Sequence, residues 1–303
     1  MKAAFLRIIP EFILVFLMRL KKYFRNRTLN SQKKLHHTLS KQDIIYELKK
    51  AGINNGDHIL LHCALSKIGY INGGALTLID ALIETIGEEG NLLMPAFPAT
   101  GRNKDYLSNN PIFDIRNTPS QMGIVSETFR NMVGVQRSLH PTDSICAFGK
   151  DAEYLTNTHF NNISPYNENS PFRKLCTIKG KILMLGTTLN GACTNLHTLE
   201  DAVDFKFPIY DEKVFTVKMI DYNGEVKTME TKVHNPIWSA KRNCDALNPI
   251  FEKEGVLINC IIGQAKCMLL DADKMLKVMV EYYNKYGVTM YTPYGDNNSL
   301  INI

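Results

Sequence analysis

The chain has 303 residues, 45% of them hydrophobic, a formal net charge of +5 and seven cysteines. That length buries roughly three quarters of the unfolded surface, ample for one large domain. Nine basic side chains and the single acid Glu11 fall within residues 1–37, leaving 26 basic against 29 acidic side chains elsewhere; so balanced a body excludes a nucleic-acid footprint.

The leader joins the almost wholly apolar run Phe12 to Met18 to flanking arginines and lysines. Such a run falls far short of the ~20 residues a spanning helix needs, and no small-residue cleavage site follows it. A basic, aromatic-bearing amphipathic segment suits peripheral membrane contact through residues 1–27. Docking on the body, or on the second subunit of a homodimer, is the alternative. Ser31 to Ser40 reads as a polar linker, so the boundaries expected are a basic segment at 1–37 and a folded domain at 38–303.

Downstream, periodicity predicts a helix at 41–51, a strand at 58–62, a helix at 75–86 entered through Asn72-Gly73-Gly74, and a strand at 91–95. Residues 121–131 read as helix, and 144–149 and 181–186 as strands. From Val214 to Val233 apolar and polar residues alternate about Asn223-Gly224, which predicts a β-hairpin added to the sheet beside the site. Met268 to Tyr286 reads as one amphipathic helix. The fold class expected is α/β: a single domain with a central mixed sheet flanked by helices and an inserted β-hairpin. The cysteines (Cys63, Cys146, Cys176, Cys193, Cys244, Cys260, Cys267) form no Cys-x-x-Cys pair, and most sit in apolar runs. They read as reduced core residues of a cytoplasmic protein.

The strongest chemical signal is Lys181-Ile182-Leu183-Met184-Leu185-Gly186 followed by Thr194-Asn195-Leu196-His197-Thr198-Leu199-Glu200. A buried strand stops at glycine, and Thr194, His197 and Glu200 then recur every third residue, on one face of a helical turn. An imidazole and a carboxylate so placed are the parts of a general base. Four further stretches precede it: Ile59 to Gly69 with Asn72-Gly73-Gly74, Gly90 to Pro95, Arg137 to Ser144, and Ser170 to Leu175. In this order and spacing the five stretches resemble the aminoglycoside 3-N-acetyltransferase family, the antibiotic N-acetyltransferases, from about Gly56 to about Asp273.

The resemblance implies transfer of an acetyl group from acetyl-CoA to an amine, on an α/β fold distinct from the commoner GNAT fold. It implies that His197 takes the proton of the attacking amine, paired with an acid: Asp245, upstream of Gly263-Gln264-Ala265, or Glu200 of the block itself. It places CoA against the Gly73-Gly74 turn, the Arg137/Ser138 loop and the segment holding Ser66 and Lys67. Two positions depart from the family: Ala64 stands where a serine often follows the first histidine, and Ser66 where a lysine is common, with Lys67 displaced by one. Many resistance enzymes of the family are acidic, as a polycationic acceptor requires; this chain is basic.

The residues support that chemistry independently. An ammonium must lose its proton before it attacks a thioester, and a positioned base contributes roughly 10²–10⁴-fold. Gly73 and Gly74 allow close backbone approach to phosphate at a helix N-terminus, and Arg137 with Ser138 adds donors. His140 reads as pocket lining. Trp238, the only tryptophan, lies beside Lys241 and Arg242; a sugar ring could stack there while cations hold a phosphate. No His-Glu-x-x-His motif occurs, and no metal is expected. The function expected is acetyl-CoA-dependent N-acetylation of an amino sugar, in surface-polysaccharide assembly, with His197 as base. Aminoglycoside resistance is one alternative, and a catalytically degenerate membrane-associated partner protein the other. The location expected is cytoplasmic, at most peripheral to the inner face of the membrane.

Overall fold

A computed structural model describes residues 38–295; the basic leader and its predicted membrane contact lie outside the described residues. Strands run in chain order β1 (Thr38–Leu39), β2 (His58–Cys63), β3 (Tyr70–Ile71), β4 (Asn91–Pro95), β5 (Ile112–Asp114) and β6 (Gln136–Arg137). They continue as β7 (Ile145–Gly149), β8 (Lys181–Leu185), β9 (Phe215–Ile220), β10 (Val226–Thr231), β11 (Leu257–Ile262) and β12 (Ala265–Asp271). Seven of them form one sheet in the order β11-β12-β8-β2-β4-β7-β6. Its centre, β8-β2-β4, is parallel, and antiparallel strands flank it on both sides.

Successive strand residues point to opposite faces, and the two cores follow. Leu60, Leu93, Ile182 and Met184 belong to one cluster, and Ile59, Leu61, Leu92, Leu183 and Leu185 to the other. The second cluster is covered by α1 (Lys41–Lys50) and α2 (Gly74–Ile86), through Ile44, Leu48, Leu78 and Leu82. The first is covered by α3 (Ala272–Tyr286), through Met275, Leu276 and Met279. A capping box fixes the start of α1: Ser40 Oγ accepts from the Asp43 amide at 3.2 Å while Asp43 Oδ2 accepts from the Ser40 amide at 2.8 Å.

Two expectations need correction. The hairpin β9–β10 does not extend the central sheet; β9 pairs parallel to β5, and these three strands enclose a small core of their own, with Phe113, Val217 and Met229. The segment Met268–Tyr286 is not one helix. Met268 to Leu270 complete β12, and Asp271 then caps α3 by accepting from the Lys274 amide at 2.9 Å. The partner strand β11 turns into β12 through Gly263-Gln264, with Gly263 at φ 59°, where a side chain is strained. Among the described residues no helix is long and apolar enough to cross a membrane.

Candidate active site

The parallel strands β2, β4 and β8 all end on one side, where ligands bind in open α/β sheets. β8 stops at Gly186 (φ 70°), and after a short helix the chain makes a 3-10 helix, Thr194–Leu199. At three residues per turn, side chains three apart eclipse, so Thr194, His197 and Glu200 share a face more closely than an α-helix would allow.

Glu200 is buried and receives four donors, two per oxygen. His197 Nδ1 lies 2.7 Å from Oε1, joined by the Tyr291 hydroxyl at 2.8 Å. His234 Nε2 lies 2.8 Å from Oε2, joined by the Tyr210 hydroxyl at 3.1 Å. A carboxylate only accepts, so His197 carries its proton on Nδ1 and keeps a lone pair on Nε2. Arg242 Nη1, which can only donate, confirms that tautomer by lying 3.0 Å from Nε2. Burial alone would raise the Glu200 carboxyl, but the charges and hydrogen bonds of His234 and His197 hold it well below the usual carboxylate range. Burial pushes the His197 imidazole down to about 4 against the pull of Glu200; at neutral pH the ring is neutral and the acid ionised.

His197 borders a cavity of about 360 Å³ whose lining also includes Thr194, His234, Phe97, Arg102, Asn103, Asp143, Tyr166 and Arg242. The Tyr166 ring stacks on His197 at 4.9 Å between centroids. Its hydroxyl donates to Asp143 Oδ1 at 2.9 Å, and Thr142 Oγ1 donates to Oδ2 at 2.6 Å. Burial raises the Asp143 carboxyl against these bonds. Two further cavities lie at the strand ends. One of about 430 Å³ is bounded by Ser66, Gly69, Tyr70, Gly74 and Ile124. One of about 280 Å³ is bounded by His62, Pro95, Ser126, Thr187 and Ala192. These two share Cys63, Ala64, Met122 and Val125, and Met122 also borders the first. The three cavities thus neighbour one another about Met122, between the N-terminus of α2 and His197.

The sequence-predicted residues divide accordingly. His197 and Glu200 pair, whereas Asp245 does not reach the imidazole: it accepts from the Asn190 amide at 3.0 Å, and both His197 nitrogens are already engaged. Ser66 and Gly74 line the cavity of about 430 Å³; Gly73 caps α2 at φ 81° behind Gly74, and Lys67 is exposed without bordering the cavity. Arg137 and Ser138 are buried structural residues. The Arg137 guanidinium donates to Ser144 Oγ at 3.0 Å, to the Thr118 carbonyl at 2.5 Å and to the Ala96 carbonyl, with Phe113 beneath it. Burial pushes it down to about 10. Ser138 Oγ bonds His159 Nδ1 and the Ile145 amide, both at 2.9 Å. Neither residue borders any of these three cavities, so the loop staples β6 to its surroundings instead of presenting donors to a phosphate. His140 is also turned inward; its Nδ1 accepts from the Asp143 amide at 3.1 Å, and its ring stacks on His159. Trp238 packs against Phe207 and Tyr291 and carries Lys241 over its ring at 4.1 Å, while their loop borders the His197 cavity through Pro236, Ser239 and Arg242. Sequence reasoning missed His234, Tyr210, Tyr291, Tyr166, Asp143 and Arg102.

His197, Glu200 and His234 bring one ligand atom each within 4.8 Å of one another, the only such group among the described residues. Glu200 joins the two histidines, with one imidazole on each carboxylate oxygen. A family model described as aminoglycoside 3-N-acetyltransferase matches residues 60–284. Aminoglycoside N(3)-acetyltransferase III of a Salmonella species is 29% identical over 84% of this chain and 95% of its own length. The SPbeta prophage-derived aminoglycoside N(3′)-acetyltransferase-like protein YokD of Bacillus subtilis is 31% identical over 55% of this chain and 66% of its own length. Among solved structures, AAC-IIIb in binary complex with CoASH superposes with a TM-score of 0.70 at 25% identity, covering 82% of this chain and 97% of that one. The chain belongs to the aminoglycoside 3-N-acetyltransferase family. It is an acetyl-CoA-dependent N-acetyltransferase on that family's α/β fold, with acetyl-CoA as co-substrate.

Proposed function

We propose that the chain acetylates a primary amine of an amino-sugar acceptor by direct transfer from acetyl-CoA, with His197 as general base and Glu200 as its orienting acid. The observation that carries this is the His197 Nε2 lone pair, fixed by a fully bonded carboxylate and met by Arg242 Nη1 at the wall of a cavity that both residues border. The thioester arm would lie along the two strand-end cavities from Gly74 past Met122, with pyrophosphate near the N-terminus of α2. The acceptor amine gives a proton to Nε2, its nitrogen attacks the thioester carbon, and the C–S bond breaks. The departing thiolate then takes that proton back from the imidazolium. The Thr194 hydroxyl, buried and without a protein partner, borders the same cavity and would donate to the transient oxyanion. An acetyl-cysteine detour is disfavoured, since burial pushes the Cys63 thiol up to about 12.

The relatives' names support an aminoglycoside acceptor over one in surface-polysaccharide assembly. Thiol release from acetyl-CoA in the presence of an aminoglycoside panel is the test, with wild type compared against His197→Ala. The variant should lose about 10²–10⁴-fold in kcat with CoA binding retained; full turnover by His197→Ala would sink the mechanism.

A further inference from the structure

We propose that His234 is a second proton acceptor of this site: it takes the first proton from the acceptor's ammonium, and His197 takes the second as the amine attacks. This rests on the acetyltransferase reading and deepens it with a count of protons. Turning an ammonium into an amide removes two protons from nitrogen. One passes through His197 to the departing thiolate. The other must leave earlier, because only a neutral amine has the lone pair that forms the C–N bond. Ammonium and thioester thus give amide, thiol and one free proton, and that free proton is the one assigned to His234.

Glu200 imposes the same tautomer on both rings. It accepts from His197 Nδ1 at 2.7 Å on one oxygen and from His234 Nε2 at 2.8 Å on the other. Each ring therefore keeps its lone pair on the opposite nitrogen, Nε2 of His197 and Nδ1 of His234. The ring centroids lie 4.4 Å apart, and both residues border the same cavity. What meets the two lone pairs differs. Arg242 Nη1 lies 3.0 Å from His197 Nε2, whereas His234 Nδ1 makes no hydrogen bond among the described residues. Of the two, only the His234 lone pair is unclaimed when an ammonium enters, and the imidazolium formed there stays bonded to the Glu200 carboxylate. The surroundings of His234 are set by Tyr210, whose ring stacks on it at 5.1 Å with Lys232 beyond, and by Tyr166 at 5.9 Å. Burial pushes both phenols well above their ordinary value. Two carboxyls within electrostatic reach of His234, Asp143 and Asp201, are raised by burial, and Arg242 stands on the cavity wall.

The test is the pH profile, from 7 to 9, of thiol release from acetyl-CoA with sisomicin as acceptor, for full-length wild type, His234→Gln and Tyr210→Phe. Glutamine reaches the Nε2 position and keeps a donor for Glu200, but it has no basic nitrogen. An amine that titrates about two units above neutrality is only about 1% free base at pH 7. The wild type, able to use the ammonium form, should hold kcat/KM within about threefold over the range. His234→Gln should start about 10²-fold lower at pH 7, climb about 10-fold per pH unit and converge on wild type near pH 9. Tyr210→Phe removes a donor from the same Glu200 oxygen and leaves the His234 lone pair, so its profile should run parallel to wild type. Titration of Asp143 or Asp201 would bend those two profiles alike. A loss in His234→Gln that is constant with pH marks a structural role and overturns the inference, as does no loss at all. A wild type that climbs as steeply as the variant overturns it while the acetyltransferase reading stands. Silence of the wild type toward sisomicin overturns it as well, and CoA binding measured alongside by calorimetry decides whether the acetyltransferase reading falls with it.

Discussion

Replacing Glu200 by glutamine keeps the side chain's shape and removes its charge at the point where four donors converge. Glutamine offers one oxygen and one amide, so two of the four donors must face a donor. His197 can relieve its share only by surrendering the Nδ1 proton, which puts the proton on Nε2 and abolishes the base. Two buried donors left without acceptors cost about 1–3 kcal/mol each, in line with the roughly 3–5 kcal/mol for breaking a buried charged pair. At roughly 2–4 °C per kcal/mol for domains of this size, Tm should fall by about 10 °C. The kcat should fall about 10²–10⁴-fold, the full contribution of a positioned base. KM for acetyl-CoA should change little, since Glu200 borders neither strand-end cavity. Differential scanning fluorimetry and thiol-release kinetics measure both effects on one preparation. A Glu200→Gln protein with kcat within about threefold of wild type would refute the orienting role, whatever its Tm.

The four buried histidines make stability fall in acid. His62 and His159 are pushed down to about 3 and His197 to about 4, in each case mainly by burial, and His140 lies well below its ordinary value for the same reason. Above pH 6.5 folded and unfolded chains hold these rings neutral and nothing is lost. As pH drops below that, only the unfolded chain takes up protons, at up to about 1.4 kcal/mol per pH unit for each ring. By pH 5 the combined effect approaches the roughly 5–15 kcal/mol that holds a typical domain together. Urea midpoints should therefore decline steadily from pH 7 to pH 5; a flat profile over that range would contradict the burial of these rings. Met122→Trp should block the junction of the three cavities, weakening CoA binding in calorimetry about 10-fold or more, with Tm nearly unchanged because Met122 is only half-buried. Unaltered CoA binding in that variant would mean the thioester arm takes another path.

What could be read from the sequence was local. The apolar run ending at Gly186 and the three-residue rhythm of Thr194, His197 and Glu200 are short-range properties, and the 3-10 helix expresses them directly. The other donors reach Glu200 from 10, 34 and 91 residues away, through Tyr210, His234 and Tyr291. Nothing near Val233-His234-Asn235 marks that imidazole; only the Tyr210↔His234 bridge beyond β10 delivers it. The hairpin's alternation was legible, but its destination was set by Ile112–Asp114, a strand too short to announce itself. Arg137 shows the opposite failure. An arginine in a polar loop looks like a phosphate ligand until its donors are seen spent on buried carbonyls and a serine hydroxyl.

His197 is a weak base while Arg242 covers it. Burial is the main cause, and the guanidinium adds to it by opposing a second positive charge on the ring. Glu200 holds the opposite side of the ring: its four donors come from four residues spread over the chain and engage both oxygens. The carboxylate therefore fixes the proton on Nδ1, and Arg242 meets the lone pair that this leaves on Nε2.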